Sequence, residues 1–134
     1  MDTNVIHILE TCTRASEDAT LLFPQIVGML IQVGVEQYHA DLQRSEKTYY
    51  LPDGQSYVVA CTPSSVAIAE AFDAQAVEAA IRASQAKQIV YAEFIARIAA
   101  AGCTSYFVSM AGKRAVYFGR TAESHVEHFP MKKE

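Results

Sequence analysis

The stretch from Phe23 to Leu42 reads FPQIVGMLIQVGVEQYHADL, and its hydrophobic spacing changes at Gly34. Before this glycine, apolar residues recur at the spacing of a helix with one buried face. After it, Tyr38, Ala40 and Leu42 alternate with polar residues, as they do in a strand with one buried face. Glycine is also the residue that most often ends a helix in the left-handed conformation. The stretch therefore predicts a helix, a glycine stop and a strand.

The same pattern returns about 68 residues further along, in YAEFIARIAAAGCTSYFVSM, which starts at Tyr91. Gly102 then corresponds to Gly34, and the apolar positions on either side correspond as well. The repetition relates residues 22–60 to residues 90–128 and predicts two similar halves, each with a helix followed by strands. A helix, a glycine stop and a hairpin are generic requirements, so a true duplication and independent use of one pattern both fit. Two halves that pair would be related by a pseudo-twofold axis.

The segments around these halves complete the predicted secondary structure. A first amphipathic helix reaches about Arg14, and a helix capped by Asp73 ends near Ala86. Residues 44–47 are interpreted as a polar turn, and Thr62 as the start of a helical, alanine-rich middle segment. Predicted strands cover residues 38–42, 48–51, 56–61, 104–110, 115–119 and 124–129.

These elements predict one α+β domain over residues 1–134. Its antiparallel sheet would have five or six strands, and helices would pack on the face that carries Tyr38.

The composition is that of a folded protein, with 51% apolar and 19% charged residues. A net charge of -4 lacks the basic footprint that a phosphate backbone requires, so nucleic acid is not an expected partner. Cys12, Cys61 and Cys103 are widely spaced, which argues against a disulfide framework or a thiolate zinc site and suits a reducing compartment. The longest apolar stretch, Leu21 to Gly34, is too short to span a bilayer, and no secretion-signal pattern begins the chain. We therefore expect a cytoplasmic protein without membrane association.

The stretch from Glu123 to His128 holds two of the chain's four histidines beside two glutamates. On a strand, Glu123, His125 and Glu127 share one face, and His128 lies on the other. The two histidines therefore do not converge on one metal ion, and no helical zinc signature is present. We interpret this face as solvated and expect no metal and no cofactor.

A second interpretation makes the same face a binding site or the site of a small enzyme. Its members would be Arg120, Glu123, His125 and Glu127, supported by His39 and Asp41. The last two share the opposite face of the strand that carries Tyr38, and nothing in the sequence requires them to approach the others. Whether the protein is an enzyme stays open, and no catalytic residue is assigned. Cys103 follows a glycine at the start of a strand and is interpreted as a small buried hydrophobe.

Four motifs in combination resemble a known family. They are EKTYYLPDGQS from Glu46, FDAQAVEAAIRASQ from Phe72, AAAGCTSYFVSMAGKRAVYFGR from Ala99 and ESHVEHFP from Glu123. The chain is similar over nearly its whole length to the YbcV-like family of prophage-associated proteins of unknown function, often labelled phage envelope protein. The resemblance implies no catalytic residue. The family pattern has a glycine where this chain has Lys87, so either Lys87 is left-handed or the two helices meet through a different turn.

From these observations we expect a protein that acts by binding or self-association, as a homodimer or with another protein as partner. An envelope role would require high-order assembly, for which the sequence shows no fibrous or repeat-array signature. We therefore do not adopt that label.

Overall fold

The computed structural model describes residues 1–129, which contain four helices and six strands. The helices are α1 (Thr3–Glu17), α2 (Phe23–Gln32), α3 (Ala74–Gln85) and α4 (Tyr91–Ala100). The strands are β1 (Gln37–Asp41), β2 (Glu46–Tyr50), β3 (Ser56–Ala60), β4 (Cys103–Ser109), β5 (Arg114–Gly119) and β6 (Ser124–His128). The predicted α+β class and the antiparallel sheet are confirmed. None of the helices in the described chain has the length and apolar character that a membrane span requires.

The six strands form one antiparallel sheet in the order β3-β2-β1-β4-β5-β6. The first strands of the two predicted halves are therefore neighbours at the centre. His39 pairs directly with Phe107, the residue at the matching position of the second half, while Tyr38 pairs with Val108 and Ala40 with Tyr106. The strand pairing is therefore symmetric about the His39–Phe107 pair, so that a twofold rotation at this pair exchanges the two halves. A common origin of the halves stays a prediction.

The helices cover one face of the sheet, as predicted. Each contributes a side chain with no exposed surface: Leu9 from α1, Leu30 from α2, Val77 from α3 and Ile98 from α4. They pack on the strand residues that point to their side, which include four tyrosines: Tyr38, Tyr49, Tyr106 and Tyr117. Burial of these large rings supplies much of the hydrophobic stabilisation of the fold.

The predicted helical middle segment after Thr62 is wrong, because residues 61–73 form an irregular segment. Its backbone forms hydrogen bonds with other elements instead of helical hydrogen bonds within the segment. The Ala69 amide donates to the carbonyl of Ala99 at 2.9 Å, and the Asp73 amide donates to that of Ala101 at 2.8 Å. These bonds tie the segment to the end of α4, and alanine's helix propensity is overridden.

Two further details concern single lysines. Lys87 has φ of 59°, so this residue, which follows the C-cap of α3, is left-handed. This is the first of the two alternatives predicted for this turn. The predicted polar turn at residues 44–47 is wrong in its second half, because β2 begins at Glu46 and includes Lys47. This shift places Lys47 inside the protein.

Candidate ligand-binding site

Lys47 is the only charged residue buried in the core of the described chain, with 3% of its surface exposed. It lies on β2 two residues before Tyr49, so strand alternation points both side chains toward the helices. Its cross-strand neighbours are Ala40 on β1 and Val59 on β3, both buried. The position of Lys47 in the strand therefore fixes an ammonium group under the helices.

Two tyrosine rings surround this ammonium. Lys47 Nζ lies 4.6 Å from the centroid of the Tyr91 ring and 5.7 Å from that of the Tyr38 ring. Burial disfavours the charged form and lowers the pKa of Lys47, whereas negative charge on the neighbouring tyrosine oxygens, chiefly that of Tyr91, would raise it. A desolvated cation over an aromatic face gains about 2 kcal/mol. The contact with the two ring faces therefore favours the ammonium form of Lys47, and none of the described carboxylates forms an ion pair with it.

A cavity of about 260 Å³ lies beside Lys47, between the ends of β1 and β2, the segment after β3 and helix α4. Leu42, Tyr91 and Ile95 form apolar parts of its wall, and Ser64 of the segment after β3 adds a hydroxyl group. At about 30 Å³ per molecule the volume corresponds to roughly nine waters. The cavity is thus a small, mostly apolar space with Lys47 in its wall.

Three carboxylates also line this cavity, and each has its own hydrogen-bond donor. Glu17 Oε2 accepts from the Thr62 amide at 2.6 Å. Asp41 Oδ1 accepts from the Arg44 amide at 3.0 Å, and Glu46 Oε1 accepts from Arg44 Nε at 2.7 Å. Each carboxylate therefore has a donor of its own, and none of the three forms an ion pair with Lys47.

The cavity wall also contains the thiol of Cys61. Burial raises the pKa of this thiol, and the nearby Lys47 charge lowers it by less than burial raises it. The thiol is therefore protonated at neutral pH, and a protonated thiol is a poor nucleophile.

The structure places His125 and Glu127 on the helix-covered side of β6, with side chains 18% and 14% exposed. The predicted solvated face is therefore wrong for these two residues. Their strand partners on β5 are the buried Tyr117 and Ala115, so the register of β6 turns the pair inward. His125 Nε2 lies 3.5 Å from Glu127 Oε1, and Arg82 Nη1 of α3 lies 2.6 Å from Glu127 Oε2. The pair joins the edge strand to α3.

His39 lies on the other side of the sheet, and Asp41 is the last residue of β1, where it also lines the cavity. The His39 ring stacks on Phe107 with centroids 4.4 Å apart, and burial lowers its pKa. Asp41 Oδ1 accepts from the amides of Gln43 and Arg44 and closes the turn between β1 and β2. Since the sheet separates His39 from the pair on β6, the six predicted site residues do not form one cluster.

The other two predicted site residues, Arg120 and Glu123, flank the turn between β5 and β6. Arg120 Nη2 donates to the Ile68 carbonyl at 2.9 Å and so holds the irregular segment 61–73. Glu123 accepts from the Thr121 amide at 3.1 Å, and these hydrogen bonds lower the pKa of its carboxyl group. Among residues 1–129 no group of three or more histidine, cysteine or acidic side chains is arranged to hold a metal ion.

The sequence interpretation missed Lys47. The signal that could have found it is the alternation in EKTYY, which puts Lys47 on the same face as Tyr49 once the strand is extended by two residues.

A family model described as a protein of unknown function (DUF1398) matches residues 13–127. The chain belongs to the DUF1398 family. The matched range of this DUF1398 protein contains every residue that lines the cavity.

Uncharacterized proteins of Mycobacterium bovis and Mycobacterium tuberculosis are similar to this DUF1398 protein. They are 31% identical to it over an alignment of 117 residues that covers 80% of this chain and 66% of each relative. The chain thus spans just under two thirds of the length of these curated relatives.

Proposed function

We propose that this DUF1398 protein is a binding protein that takes a small organic anion into the Lys47 cavity. The observation that carries the proposal is a buried ammonium group at the wall of a cavity, without an anionic partner among the described residues. Burying an unpaired charge is costly, and buried charges are normally paired. A bound anion would supply the missing partner.

The size and walls of the cavity indicate the class of anion. A space of about 260 Å³ holds a compact molecule rather than a nucleotide or a peptide. Leu42, Tyr91 and Ile95 favour an apolar or aromatic body, and Lys47 favours a carboxylate at one end of it. A monocarboxylate with about nine non-hydrogen atoms, such as benzoate, matches both the volume and the charge.

Binding is favoured over catalysis because the two reactive side chains of the cavity are held in unreactive forms. The ring contacts favour the ammonium form of Lys47, and burial keeps the Cys61 thiol protonated at neutral pH. Nucleophilic catalysis requires the deprotonated form of either group. The earlier alternative, a site on β6 with His125 and Glu127, stays a prediction, as does a link to prophages.

Isothermal titration calorimetry with three molecules of one shape and different charge tests the proposal. Benzoate is an anion, benzamide is neutral and benzamidine is a cation at neutral pH. A charged hydrogen bond contributes about 1.5–3 kcal/mol, so benzamide should bind at least tenfold more weakly than benzoate. Benzamidine should bind more weakly than benzamide if the Lys47 ammonium, and not the three carboxylates of the wall, sets the charge preference.

Lys47→Met provides the matched variant, since methionine keeps an unbranched chain of similar length in the core. It should fold and lose the preference for benzoate over benzamide. Lys113→Met removes a charge from an exposed turn and serves as the control that keeps the preference. Equal affinities for benzoate and benzamide, or benzoate binding that survives in Lys47→Met, would overturn the proposal.

A further inference from the structure

The side of the sheet opposite the helices, called the open face below, is formed by the strand residues that alternate with the core residues. In the described chain the helices pack on the other side. The centre of the open face is the pair His39 and Phe107, whose rings are stacked. These two residues also mark the point about which the two halves exchange. The open face therefore has a near-symmetric layout with an aromatic centre.

An aromatic line crosses the open face diagonally through this centre. Tyr50 on β2 lies at one end of the diagonal, and Phe118 on β5 lies at the other. The rings of Phe107 and Phe118 meet edge to face, with centroids 6.4 Å apart. Tyr50, His39, Phe107 and Phe118 are all partly exposed. Partly exposed rings in one line form a surface that another apolar surface can cover.

The other diagonal of the open face ends in opposite charges. Residues paired across neighbouring strands form rows that run across the sheet. Glu46 lies in the same row as Phe118, and Arg114 lies in the same row as Tyr50. Strands lie about 4.8 Å apart and alternate residues of one strand about 6.6 Å apart. Glu46 and Arg114 therefore each lie about 7 Å from the centre across the strands and about 7 Å from it along the strands, at opposite corners. An acid and a base therefore occupy equivalent positions of the two halves.

We propose that the open face binds the open face of a second copy of this chain, about a twofold axis along the aromatic diagonal. Such an axis lies in the plane between the sheets and exchanges the two charged corners. Glu46 of one protomer then faces Arg114 of its partner, twice in each dimer. Residues on the axis, such as Phe118, meet their own copies.

This arrangement crosses the strands of the two sheets at nearly a right angle, which is one of the two common ways in which sheets pack. Packed sheets lie about 10 Å apart, a gap that a glutamate and an arginine can bridge. Glu46 also pairs with the exposed Arg44 of its own chain, so its carboxylate would lie between two arginines. An interface that matches itself in shape and charge is what a twofold dimer requires.

Sedimentation equilibrium of charge-reversal variants tests the proposal. The unmodified protein should dimerise. Glu46→Arg and Arg114→Glu should each raise the dissociation constant at least tenfold, because each places like charges opposite one another at two contacts. An equimolar mixture of the two variants should recover dimers, since both contacts then join opposite charges.

Lys113→Glu changes the net charge by as much as Arg114→Glu does, but in the turn just before β5, and it should leave the dissociation constant unchanged. Circular dichroism of each variant separates a lost interface from a lost fold. Should Glu46→Arg fail to fold beside Arg44, Phe107→Glu at the centre of the open face replaces it and should abolish dimers. A monomer at millimolar concentration, or a variant mixture that does not recover dimers, overturns the proposal. Glu46 also lines the Lys47 cavity, whereas Arg114 and Phe107 do not, so the Arg114→Glu and Phe107→Glu variants keep the dimer test independent of the test of anion binding.

Discussion

Gly34 and Gly102 offer a matched pair of substitutions, because they end corresponding helices with nearly the same backbone. Gly34 has φ of 90° and Gly102 has φ of 86°, in the region where a Cβ atom is strained. A Cβ atom at Gly34 would meet nothing within 4 Å. At Gly102 it would lie 2.7 Å from the carbonyl carbon of Ala71 and 2.9 Å from the Cα atom of Phe72. The two sites thus share backbone strain and differ in packing.

The expected cost of each alanine substitution follows from these distances. A left-handed non-glycine residue costs about 1–2 kcal/mol, so Gly34→Ala should lower the free energy of unfolding by that amount. Gly102→Ala adds an overpacking cost of about 1–3 kcal/mol, because the contacts are with backbone that has to move. We expect Gly102→Ala to be more destabilising than Gly34→Ala by that second amount.

Urea unfolding followed by circular dichroism measures both costs. The midpoint should shift further for Gly102→Ala, with the slope m of both variants equal to that of the unmodified protein. Equal midpoint shifts would show that residues 61–73 do not pack against the end of α4. That result would also remove one wall of the proposed cavity, since residues 61–65 belong to the same segment.

Three further predictions concern the core. Tyr49→Phe removes a hydroxyl group that lies 2.7 Å from Thr13 Oγ1 and should cost about 1 kcal/mol in urea unfolding; an unchanged midpoint would show that this bond contributes nothing. Burial raises the pKa of Cys103 to about 11, so the unfolded chain loses this proton first and the free energy of unfolding should fall as pH rises from 9 to 11. In Cys103→Ala the free energy of unfolding should fall less over this pH range, by up to about 2.7 kcal/mol. A pH profile identical to that of the unmodified protein would show that the pKa of Cys103 is not raised by folding. In the native protein a thiol reagent should modify the partly exposed Cys61 before the buried Cys12 and Cys103, and simultaneous reaction would contradict the burial pattern.

Most elements of the fold could be predicted because their signals are local. Apolar spacing and the glycines at 34 and 102 set the ends of α2 and α4, and alternation identified β1 and β4. The irregular segment 61–73 could not be predicted in this way. Its conformation depends on hydrogen bonds to Ala99, Ala101 and Arg120, which lie far away in sequence.

The candidate site shows the same division. Alternation correctly separated His125 from His128 onto two faces, but it does not tell which face the helices cover. The pairing of His125 with the buried Tyr117 decides that, and register between strands is a tertiary property. Lys47 was missed because a lysine beside a glutamate and a serine is typical of a turn, whereas its burial depends on the tyrosines around it.

The most direct test of anion binding is an NMR measurement on the Lys47 ammonium group itself. In protein labelled with ¹⁵N and ¹³C, the Nζ and Cε signals of each lysine are followed during titration with benzoate and, separately, with benzamide. The account predicts that the Lys47 signals shift and saturate with benzoate, while those of Lys113 stay in place. Unchanged Lys47 signals at saturating benzoate, or an equal shift with benzamide, would contradict it.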